Sequence, residues 1–113
     1  MKYAILLYDN PDNWRDVTEA QGRELHDEYM AVAHEPESYG GAQLQPAERA
    51  KTLRLRDGEL LVTDGPFTET KEVISGFYLV DAESEERALE LASRIPTLSK
   101  MGGVIEIRPI VER

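Results

Sequence analysis

Cysteine is absent from the 113 residues. The fold therefore has no disulfides, no thiolate nucleophile and no Cys-based metal site. Histidine is scarce, and His26 and His34 lie about 12 Å apart along a helix axis, too far to hold one ion as an i, i+4 pair does. The carboxylates lack the spacing of a Mg²⁺ or Ca²⁺ loop, so no metal site is expected. Gly40-Gly41 and Gly102-Gly103 lack the strand-to-helix setting of a phosphate loop, and no cofactor is expected either. Positive charge is also in deficit. Thirteen Lys and Arg against 22 Asp and Glu give a net −9, which would repel a phosphate backbone and excludes a general nucleic-acid-binding surface. The longest apolar run, residues 4–8, is far too short to span a bilayer, and no basic, then apolar, leader follows Met1. A cytoplasmic protein without a membrane partner is the expectation.

What is present suits one soluble domain over residues 1–113, with 41% hydrophobic and 31% charged residues. The acidity is skewed: residues 1–50 carry four bases against ten acids, and residues 51–113 nine against twelve. Anionic partners are disfavoured near the first helix.

Residues 2–8 are β-prone and apolar on both faces, as in a central strand. Asp9-Asn10-Pro11-Asp12-Asn13 breaks the chain, and Thr18 with Gln21 forms a capping box that opens a helix. Leu25, Tyr29, Val32 and Ala33 make its inner stripe, and Pro36 stops it around His34 or Glu35. Residues 38–45 are a poor strand candidate because Gly40-Gly41 interrupts them. Residues 51–56 and 59–63 flank Asp57-Gly58, a type I′ hairpin signal that pairs Arg56 with Glu59, Leu55 with Leu60 and Leu53 with Val62. All the apolar pairs then share one face. Residues 73–80 form a second buried strand, and Ser84 caps a second helix with Ala88, Leu91, Ala92 and Ile95 inward and Pro96 at its end. A last strand begins at Val104, with Ile105 and Ile107 on one face and Pro109 marking an edge.

The order β–α–(β)–β–β–β–α–β predicts an α+β domain: a ferredoxin-like split βαβ with an extra β-hairpin. Its two helices cover one face of the sheet. A chain this short has nothing left for the other face, and a second copy is the simplest cover, giving a homodimer.

Between the hairpin and the next strand runs Leu61-Val62-Thr63-Asp64-Gly65-Pro66-Phe67-Thr68-Glu69-Thr70-Lys71-Glu72, followed by Gly76-Phe77-Tyr78. This block resembles the signature of the YCII-related, DGPF-motif proteins. The likeness extends to the opening strand, Gly-Gly-Ala-Gln-Leu-Gln-Pro at 40–46, Ile95-Pro96, and Ile105-Glu106-Ile107-Arg108-Pro109. It implies a dimeric α/β barrel of two face-to-face sheets. In the wider group a His–Asp pair lines a cleft, with the His on the first helix, where His26 is the nearest match. The Asp precedes the Pro that ends the second helix. Here that position is Ile95, which can neither accept a proton nor orient an imidazole, so the dyad is broken. Some DGPF proteins are fused to, or encoded near, extracytoplasmic-function sigma factors.

The 64–72 block has two readings. As a rigid turn, Asp64 accepts bonds from following backbone N–H groups, Pro66 fixes φ, and Phe67 anchors the loop in the core. As a site, it gathers Thr68, Glu69, Thr70, Lys71 and Glu72 beside a strand end. Lys71 would orient an anionic group, and Glu69 or Glu72 would be the acid/base. Tyr8 and Asp64 join Thr68 as candidate ligand-binding residues, with Trp14 and Tyr8 near the first strand's end, and His26 completes the candidate catalytic set. The leading functional reading is a small-molecule-binding protein, with any reaction unassigned. The rival is a non-catalytic regulatory or interaction module working with extracytoplasmic-function sigma factors.

Overall fold

In a computed structural model of the chain, residues 1–68 and 70–113 are described. Strand β1 spans Lys2–Asp9 and alternates strictly, with Tyr3, Ile5, Leu7 and Asp9 buried and Ala4, Leu6 and Tyr8 half-buried on the opposite face. Helix α1, Glu19–Ala33, opens on the expected capping box: the Gln21 amide donates to Thr18 Oγ1 at 3.1 Å, and the Thr18 amide donates to Gln21 Oε1 at 3.0 Å. The edge strand β2, Ser38–Gln43, forms despite its glycines, followed by the hairpin strands β3, Lys51–Arg56, and β4, Glu59–Asp64. Strand β5 is Val73–Asp81, helix α2 is Glu85–Ser93, helix α3 is Pro96–Ser99, and β6 is Val104–Pro109.

The main sheet runs β2-β5-β1-β6, with every neighbouring pair antiparallel. β5 therefore separates β1 from β2, which is the split βαβ arrangement that the order of elements predicts. The protein is an α+β structure in which the helices pack on the face carrying Tyr3, Ile5, Leu7, Tyr78 and Val80. Val32, Ala88, Leu91, Ala92 and Ile95 close that core. Truncating Leu91, which is fully buried, to Ala removes apolar contacts worth about 2–5 kcal/mol. Arg87 of α2 reaches Glu37 at 2.5 Å and Glu90 at 3.1 Å, while Arg94 holds Glu35 at 2.8 Å. The pairs with Glu37 and Glu35 tie the α1–β2 connection to α2.

Why β2 can join the sheet is visible at Gly41. Its φ of +143° lies where only glycine is comfortable, and an added Cβ would meet the Phe77 carbonyl oxygen of β5. The glycines that weaken this stretch as an isolated strand are what let it approach β5. Helix α2 ends at Ser93, earlier than its sequence pattern suggests. Ile95 adopts extended backbone (φ −72°, ψ 129°) because the following proline disfavours helix, and Pro96 then opens α3 as its first residue. Ile95 remains wholly buried.

The hairpin has its expected register, from Arg56↔Glu59 at the turn to Lys51↔Asp64 at the root, and Asp57 and Gly58 both have positive φ. Its apolar face is bare: Leu53, Leu55, Leu60 and Val62 are 57–76% exposed. The radius of gyration, 15.9 Å, exceeds the roughly 13 Å of a compact chain this long. The molecule is a slab of 46 × 43 × 18 Å. Among the described residues no helix is long and apolar enough to cross a membrane.

Candidate functional site

The two faces of β1 lead to two different environments at its C-terminal end. On the helix side, Asp9 is buried and accepts a hydrogen bond from the Trp14 indole N–H at 3.1 Å. Trp14 stacks on Tyr29 with ring centroids 6.3 Å apart. The Tyr29 and Thr97 hydroxyls lie 2.8 Å apart, and the Tyr78 hydroxyl donates to the Tyr29 carbonyl at 2.8 Å. Burial pushes the Tyr29 and Tyr78 hydroxyls above the usual phenol range, partly offset at Tyr29 by the bond to Thr97. This is a filled, hydrogen-bonded corner of the core. Ile95, at the position where the likeness would put an Asp, is buried among apolar side chains there.

On the other side of the sheet lies a cavity of about 610 Å³. A bulge shifts the β1–β5 register between Leu7 and Tyr8, so that Tyr8 pairs with Ile74 and both line the cavity. One wall is the connection after β2, from Leu44 and Pro46 to Arg49 and Ala50. The hairpin root contributes Lys51 and Thr52, and the loop beyond it adds Pro66, Phe67, Thr68, Thr70 and Glu72. Short bonds brace the loop: Gly65 N–H to the Ala50 carbonyl at 2.8 Å, Thr52 Oγ1 to the Gly65 carbonyl at 2.7 Å, and Thr70 Oγ1 to the Glu72 carbonyl at 2.6 Å.

The structure brings Tyr8, Thr68 and Glu72 to one cavity. Asp64 stands at its border, where its carboxylate engages the ammonium of Lys51. That pairing differs from the expected turn in which Asp64 accepts backbone N–H groups. It follows from the hairpin register, because Lys51 and Asp64 are the outermost pair. Phe67 also departs from expectation. It is 73% exposed and lines the cavity rather than anchoring the loop in the core. The bonds to Ala50 and Thr52 hold the loop instead. His26 is exposed on α1, on the helix side of the sheet, away from this cavity. Lys71 is exposed and does not line the cavity. Glu69 lies outside the described residues.

Arg49 and Lys51 are lining residues that motif reading passes over. Lys51 was within reach of the hairpin register counted outward from Asp57-Gly58. Arg49 sits in a one-turn 3₁₀ segment, Ala47–Arg49, with no sequence signal of its own. The cavity combines apolar side chains with polar groups from each of its walls, a composition that can hold a small molecule. Among the described residues Glu72 is its one lining carboxylate, and Arg49 makes no ion pair.

Comparison with known proteins gives a consistent picture. The model of the YCII-related domain matches residues 1–113. An uncharacterized protein of Rhizobium meliloti (strain 1021) is 38% identical over 118 residues, covering 97% of this chain and 92% of the relative.

Proposed function

Because the chain belongs to the YCII-related family over residues 1–113, we propose that it is a small-molecule-binding protein that acts as a homodimer, its two sheets packed face to face as an α/β barrel. The observation that carries the binding reading is the cavity beside Tyr8 and the 64–72 loop. Its composition favours a ligand with an apolar body and an anionic end. Leu44, Phe67 and Ile74 offer the apolar contact, and Arg49 offers a cation in a chain whose net charge is −9. Thr68 and the Tyr8 hydroxyl supply neutral hydrogen bonds, and Glu72 is the group placed to move a proton should a reaction follow binding. The homodimer reading rests on the sheet face opposite the helices, where Leu6 lies opposite Phe77 and Ala4 opposite Leu79 with no layer over them.

Thermal-shift screening of small carboxylates and phosphates against their neutral isosteres tests the reading. A ligand present at a hundredfold its Kd stabilises the native state by about 2.7 kcal/mol, which for a domain of this size is a rise of roughly 10 °C in Tm. The anionic members should give the rise, and Arg49→Ala and Phe67→Ala should each reduce it. A library with no hits, or hits unchanged in both variants, would overturn it.

A further inference from the structure

We propose that the hairpin β3–β4 is a clasp for a second copy of this chain: each protomer lays its Leu53, Leu55, Leu60 and Val62 face on the other. The inference rests on the homodimer reading above and adds to it a surface that the sheet-to-sheet contact does not contain.

The first observation is the bare apolar face itself. Four large aliphatic side chains stand in water on a two-stranded ribbon that pairs with no third strand. A ribbon of that kind is marginal alone, and a contiguous exposed apolar stripe marks a contact surface. Yet the hairpin is built with care, with six cross-strand pairs and a correct turn. The second observation is that the arm does not fold back on its own sheet. The slab is 18 Å thick, enough for a sheet and a helix layer at about 10 Å spacing but not for a third layer. The arm therefore points sideways, where its own protomer cannot cover it.

Area and charge then select the occupant. At about 3.4 Å per residue and 4.8 Å per strand, strands of eight, nine, six and six residues present roughly 470 Å² of open sheet. A stable interface buries about 600–1,000 Å² per partner, so the sheet face alone falls short. The arm presents roughly 200 Å² by the same measure, and in a twofold dimer each copy both gives an arm and receives one. Sheet and arm together present roughly 670 Å² on each copy, which enters that range. Each copy carries −9, and like-charged surfaces resist association. The clasp face avoids that penalty, because among the described residues its one ionic pair, Lys51 with Asp64 at the root, is internally neutral.

The test compares wild type with two arm variants by sedimentation-equilibrium measurement of the dimer dissociation constant. One variant is Leu55→Glu with Leu60→Lys, which replaces a cross-strand apolar pair by a cross-strand ion pair and so keeps the hairpin. The other changes Leu53, Leu55, Leu60 and Val62 to Thr, which is polar but strand-compatible. Far-UV circular dichroism confirms that each is folded. We expect a wild-type dimer and at least a tenfold weaker constant in both variants. A wild-type dimer with unchanged constants in folded variants overturns the clasp and leaves the sheet-to-sheet dimer standing. A monomeric wild type overturns the dimer reading and the clasp with it. An arm that captures an unrelated protein while the dimer constant stays unchanged also overturns the clasp.

Discussion

Replacing Gly41 with Ala should cost far more than one methyl group normally does. Two separate penalties meet at this residue. At φ +143° an L-residue is strained by about 1–3 kcal/mol. The new Cβ would also run into the Phe77 carbonyl oxygen and sit 3.1 Å from the Tyr78 Cα. Both are backbone atoms of a central strand and cannot turn aside, so overpacking adds about 1–3 kcal/mol. The expected loss is roughly 3 kcal/mol, a large share of the 5–15 kcal/mol that stabilises a typical domain. With a urea m-value near 2 kcal/mol/M, the midpoint should fall by about 1.5 M. Gly58→Ala is the internal control. It shares a positive φ, +80°, but nothing lies within 4 Å of its added Cβ, so it should lose only about 1 kcal/mol. Because β2 leads into the cavity wall at Leu44, Gly41→Ala should also weaken ligand response, whereas Gly58→Ala should not. Equal midpoints for the two variants would refute the close-approach argument.

Acid should loosen the join between α2 and the α1–β2 connection. The Arg87 hydrogen bond across that join holds Glu37 below its ordinary 4.5, and at the end of α2 itself Arg94 does the same for Glu90. Their contributions are thus complete above pH 4.5 and are lost as pH falls through the lowered folded values. Glu37→Gln should flatten the acid limb of a stability–pH curve, and an unaltered limb would count against it. At the alkaline end, the raised values of Tyr78 and Tyr29 keep both phenols neutral in the fold past pH 10, so stability declines as pH rises above 10, and the share of tyrosinate absorbance that Tyr29→Phe and Tyr78→Phe remove should appear with unfolding rather than before it. Asp64→Ala should cost less than about 1 kcal/mol, since its bond to Lys51 is solvent-exposed, while Glu72→Gln should leave stability intact and change ligand response. Lys71→Met and Glu69→Gln, measured the same way, decide whether the rest of the loop takes part. Finally, dimerisation should tighten between 0.1 and 1 M NaCl, because shortening the screening length from about 10 to 3 Å weakens repulsion between two copies of net charge −9.

Local chemistry was the legible part of this fold. The Thr18–Gln21 box, the Ser84 cap and the Asp57-Gly58 turn each act within a few residues, and all three stand where their sequence puts them. Continuous β-prone apolar runs identify β1 and β5 as buried strands, and covering one face with two helices leaves the other open. β2 was hard to read because its stability comes from β5, a partner more than thirty residues away. The cavity was half legible. The clustered polar residues after the hairpin point to that loop, and strand β1 places Tyr8 near its C-terminal end. Its other wall, residues 44–50, is irregular chain with no periodicity to detect. His26 illustrates a geometric limit. With Leu25 turned inward, its neighbour is rotated about 100° around the helix and is exposed.

The borders of the main sheet decide what kind of assembly it can enter. An unprotected edge recruits further strands and grows without limit. Here β2 is kinked by a register shift between Ser38 and Gly40, and β6 ends on Pro109, which has no N–H to donate. Both outer strands are only six residues long. Strand-by-strand growth into filaments is therefore blocked at either side of the sheet. The proposed dimer would use surfaces perpendicular to the ladder instead, where a twofold axis closes the contact after two copies.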